Sequence, residues 1–78
     1  MRAYILIEAT MGNAALVAND VGMLEFTAPT TLLSVDAVTG PFDVIAVVET
    51  SDLDTLMQSV TDRIQTIRGV ERTTTCVA

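Results

Sequence analysis

The chain has 78 residues, a net charge of −6 from ten acidic residues and four arginines, no histidine and one cysteine, Cys76. That length holds one domain, residues 1–78, and such a small domain normally needs a disulfide, a metal or a partner subunit for support. A lone cysteine without histidine excludes an internal disulfide and a structural zinc site, which leaves self-association. An acidic chain with no basic stripe and few aromatic residues is a poor binder of DNA or RNA on its own. Half the residues are hydrophobic, yet no stretch reaches the roughly 18 apolar residues of a membrane span. The start is too short and too soon charged for a signal peptide, so a cytoplasmic location is expected.

Taken in order, Ala3 to Glu8 reads as a first strand. Ala3, Ile5 and Ile7 mark one face, Tyr4 and Leu6 the other. A strand apolar on both faces is covered on both sides. A single helix layer covers one of them, and the other requires a second subunit. Asn13 is suited to cap a first helix, in which Ala14, Val17, Ala18, Val21 and Leu24 share a face. Gly22 weakens that helix, and Thr27-Ala28-Pro29 ends it. Leu32 to Val38 reads as a second strand, with Leu33, Val35 and Ala37 alternating against Ser34 and Asp36. Val44 to Glu49, apolar until its last residue, is the third strand and belongs inside the sheet.

Ser51 is expected to start the second helix, with Asp54 completing a capping box. Leu53, Leu56, Met57, Val60, Ile64 and Ile67 repeat at helical steps, and Gly69 stops the run, so the helix is expected over Leu53 to Arg68. Arg63 and Arg68 then lie where the helix dipole favours them. Val70 to Val77 is the fourth strand. The order β-α-β-β-α-β is the ferredoxin-like arrangement, an α+β fold with a four-stranded antiparallel sheet and both helices on one face. Its bare face is expected to dimerise.

Candidate chemistry is sparse. Without histidine, no serine or cysteine has its usual activating base. No metal site or cofactor is expected. Cys76 reads as a buried small hydrophobe. Two segments stand out. Gly40-Pro41-Phe42-Asp43 is composed like a turn, yet it carries one of only two phenylalanines. Gly40 lets a ligand approach the backbone, Phe42 can wall a pocket, and Asp43 can pair with an ammonium group. In the fourth strand, Thr73 and Thr75 point one way and Thr74 the other, so two hydroxyls about 7 Å apart form a polar ledge. The bland readings are a plain turn and a run of good strand formers.

The stretch VDAVTGPFDVIAVVE, the capped helix after it and the run Arg68 to Thr75 resemble the effector-binding (RAM) domain of the Lrp/AsnC transcription regulators. The resemblance spans nearly the whole chain, specific in residues 35–77 and loose in 9–34. It implies dimers formed through sheet faces, assembly into octamer-like rings, and an amino-acid effector held between dimers. By position, the effector-binding residues are Gly40, Phe42 (where tyrosine is common), Asp43, Thr73 and Thr75. The resemblance also implies a stand-alone form lacking the helix-turn-helix, which modulates transcription indirectly through oligomerisation or through full-length regulators as partners. Two departures are visible. Glu25 to Leu32 is longer than the usual link between the first helix and second strand, and no acidic residue near Met57 is placed to grip a basic effector. A purely structural oligomerisation module is the alternative, and a dimeric ferredoxin-like enzyme is a third reading.

Overall fold

The computed structural model describes all residues, 1–78. The elements are β1 (Arg2–Ala9), α1 (Ala14–Gly22), β2 (Thr31–Ala37), β3 (Val44–Glu49), α2 (Leu53–Ser59), a π-helical turn over Val60–Ile64, and β4 (Val70–Val77). The four strands form one antiparallel sheet in the order β2-β3-β1-β4. This is the expected ferredoxin-like α+β arrangement, with β3 and β1 inside and β2 and β4 at the edges.

Strand pleating decides the core. Ala3, Ile5 and Ile7 of β1 and Val44, Ala46 and Val48 of β3 are buried under the helices. Val17 and Val21 of α1 and Leu56, Val60 and Ile64 of the second helical segment close over them. Alternate residues Tyr4, Leu6, Ile45 and Val47 lie on the opposite face and are only half-buried. Within one subunit nothing covers that face.

Several local expectations are corrected. Leu33 does not share a face with Val35 and Ala37. Leu32 pairs with Val48 and Ser34 with Val47, so Leu33 is an extra residue in a bulge. The bulge shifts the parity, placing Leu32 and Val35 against the core and leaving Leu33 exposed. The second helix starts from Asp52, not Ser51. The Asp52 carboxylate accepts the backbone N–H groups of Asp54 and Thr55 at 3.0 and 3.4 Å and the Thr55 hydroxyl at 2.8 Å. Asp52 prevails because its side chain satisfies two of the orphan donors of the first turn.

That helix also ends near Ile64 rather than Arg68. From Val60 it widens, with the Gln65 N–H bonded to the Val60 carbonyl five residues back. Val60 and Ile64 lie buried on the core, whereas Leu53 and Met57, expected on the same face, are exposed. Arg68 therefore lies in the loop beyond the helix, and Arg63 donates to the Glu25 carbonyl, tying down the long link.

Asn13 occupies the cap position of α1 without a side-chain cap bond; its Nδ2 donates to the Thr10 hydroxyl at 2.5 Å. α1 ends at Gly22, ahead of the Thr27-Ala28-Pro29 stretch expected to stop it. The other end of the link is held by buried hydroxyls. Thr30 Oγ1 donates to Thr50 Oγ1 at 3.0 Å, and Thr50 Oγ1 also accepts the Asp52 N–H at 3.1 Å. Cys76 is exposed, contrary to expectation, because it pairs with Tyr4 on the uncovered face.

Candidate functional site

The hairpin between β2 and β3 places Gly40, Phe42 and Asp43 at one end of the sheet. Gly40 has φ of 153°, a region L side chains rarely adopt, and nothing lies within 4 Å of a Cβ built there. Glycine is therefore required by the backbone and not by crowding. Phe42 is half-buried and stands outside the hydrophobic core cluster.

Asp43 is a structural junction as well as a candidate ligand. Its N–H donates to the Ile7 carbonyl at 2.9 Å, and its carbonyl accepts the Val38 N–H at 2.9 Å. Its Oδ2 accepts the Ala9 N–H at 2.8 Å. The side chain thus supplies the next rung of the ladder to β1 just where β3 has not yet begun. Oδ1 has no hydrogen-bond partner within the chain, and a carboxylate retains capacity for further donors.

Thr73 and Thr75 sit on the edge strand β4, two strands away. Thr73 pairs with Ile7, which pairs with Val44; Thr75 pairs with Ile5, which pairs with Ala46. Both threonines therefore face the helix side, as their alternation with Thr74 requires. The Thr73 hydroxyl accepts from Gln65 Nε2 at 3.0 Å. The row spacing separates Thr73 from the start of β3 by about 10 Å. The five residues form two groups, Gly40–Phe42–Asp43 and Thr73–Thr75, with β1 between them. A single subunit does not join them around one cavity.

The cleft that the chain does form lies elsewhere, lined by Asn13, Leu16, Asp20 and Arg68. Sequence reading missed it because Arg68 was assigned to the end of a helix. No group of three or more histidine, cysteine, aspartate or glutamate side chains is arranged to hold a metal ion. No helix is long and apolar enough to cross a membrane.

The Asp52 carboxyl is the group whose acidity is clearly perturbed. The Thr55 hydroxyl, then the Thr55 backbone N–H, with a smaller part from Asp54, hold it below the ordinary carboxylate range against a small opposing effect of burial. This is the chemistry of a helix cap.

The profile of the Lrp/AsnC ligand-binding domain matches residues 30–78. The chain belongs to that family. TTHA0845 from Thermus thermophilus is similar over 99% of this chain and 90% of its own, at 32% identity and a TM-score of 0.83. A hypothetical protein from Pyrococcus horikoshii is similar over 99% and 87%, at 26% identity and a TM-score of 0.81. The regulator NMB0573 from Neisseria meningitidis, solved with L-Met, shares the fold over 96% of this chain but 47% of its own, at 21% identity and a TM-score of 0.75. No curated protein matches the chain.

Proposed function

We propose that this protein is an amino-acid-sensing effector domain that binds a small amino acid between dimers and modulates transcription indirectly, through its assembly state or through partner regulators. The observation that carries the reading is the arrangement of the two residue groups. Asp43 offers a carboxylate oxygen for an ammonium group, and Thr73 and Thr75 offer hydroxyls, but β1 separates them within one subunit. Residues so divided make one site only where a second subunit supplies the missing half. The uncovered apolar face of Tyr4, Leu6, Ile45 and Val47 supplies the first pairing that such an assembly needs. Membership of a ligand-binding domain family supports a small-molecule role, and the L-Met bound to the Neisseria neighbour suggests the ligand class.

A site completed by assembly gives a ligand different affinities for assembled and separated subunits, which is the requirement for shifting that equilibrium. The test is a thermal-shift screen against the twenty amino acids, beside light scattering for mass. A ligand at about a hundred times its Kd stabilises by roughly 2.7 kcal/mol. A shift with one or a few amino acids, lost in Asp43→Asn, is expected. The asparagine keeps an acceptor for the Ala9 N–H and removes the charge. A flat panel from a well-assembled protein would instead identify a structural module whose hairpin is only a turn.

A further inference from the structure

We infer that the outer face of α1, with Arg68 beside it, is a second, two-fold interface at which α1 of one copy packs antiparallel on α1 of another. The inference goes beyond the sheet-face pairing and uses the opposite side of the molecule. Asn13, Leu16 and Asp20 follow one stripe along α1, on the flank next to the buried Val17. Leu16 is 62% exposed at the centre of this stripe; Met23, at the C-terminal end, is 73% exposed, and Met11, in the turn before the helix, is fully exposed. Leu16 and Met23, exposed apolar side chains about two turns apart on one helix face, mark a contact surface.

The charges indicate what covers it. Arg68 lies at the N-terminal half of the stripe, because its neighbour Gly69 packs against Asn13 and Val17. Asp20 lies one turn beyond Leu16 in the other direction. Neither takes part in the chain's ion pairs, which join Met1 and Arg2 to Glu49 and Arg72 to Glu8. The other three arginines each have a partner, Arg63 through the Glu25 carbonyl. A two-fold axis near Leu16 exchanges the ends of the stripe. It brings Arg68 of each copy to Asp20 of the other, Met11 towards Met23, and Leu16 to the centre. An interface between identical patches must be self-complementary in this way. The patch offers its one free cation and a matching carboxylate on either side of an apolar centre. A uniformly basic or acidic partner would meet one of these charges with repulsion.

The test is a charge swap read by sedimentation velocity, with circular dichroism as the fold control. Arg68→Glu and Asp20→Arg should each lower the mass of the wild-type assembly by half or more, as should Leu16→Asp. The double variant Arg68→Glu/Asp20→Arg should restore the mass, since it reverses both ends together. Leu6→Asp, on the sheet face, reports the other interface independently. Wild-type mass in all three single variants would overturn the inference, as would a double variant that is as dissociated as the singles. Loss of mass in Leu6→Asp alone would leave the sheet pairing and remove this one.

Discussion

Replacing Asp43 with alanine separates the structural from the ligand-binding role of the hairpin. The carboxylate accepts the Ala9 N–H at 2.8 Å, a hydrogen bond to a charged group. Such bonds contribute about 1.5–3 kcal/mol, and the half-exposed setting favours the lower end, about 1.5 kcal/mol. For a domain of this size, that lowers Tm by roughly 6–12 °C. Asp43→Asn retains a neutral acceptor and should lose about half as much, since charge-assisted bonds are roughly twice as strong as neutral ones. The assay is urea denaturation followed by circular dichroism at one fixed protein concentration, because association contributes to apparent stability. Equal stability of Asp43→Ala and wild type, within about 0.3 kcal/mol, would refute the claim that this side chain extends the β1 ladder.

Gly69→Ala is expected to destabilise by about 1–2 kcal/mol from its positive φ alone, and more because its Cβ would approach Val17 Cγ2 at 3.2 Å and Asn13 Cβ at 3.3 Å. Gly40→Ala, strained but uncrowded, should cost less in the same urea experiment. Ile5→Val removes one methylene from a fully buried site beneath the helices and should cost about 0.5–1.5 kcal/mol by thermal melting. Asp52 has a depressed pKa in the folded state, so its contribution to stability is complete above the ordinary carboxylate pKa. That contribution is lost as pH falls through the depressed folded value. Asp52→Asn should therefore flatten the decline in stability from neutral pH into the acid range, measured as Tm against pH.

Some of the candidate site could be read directly from residue types. Gly40 sits at a turn with positive φ, and Thr73 and Thr75 share a face as strict alternation demands. The Asp43 bond to Ala9 was not readable, because the partners are 34 residues apart and nothing local marks an N–H left over at the end of a strand. The Thr30–Thr50 hydroxyl pair was missed for the same reason: two threonines 20 residues apart announce no partnership until the ends of their segments meet.

The sequence by itself determined the element order, the strands Val44–Glu49 and Val70–Val77 to the residue, the division of β1 into two apolar faces and the core face of α1. Those features rest on local periodicity, since burying one face of a strand or helix dictates which positions are apolar. Only the tertiary structure decided where that periodicity breaks. The extra residue at Leu33, the widening of the second helix at Val60 and the exposure of Cys76 each depend on what packs opposite. A bulge or a π turn changes parity without changing composition. The division of the candidate effector residues between two strands separated by β1 was likewise decided by strand order, a choice made between elements and not within them.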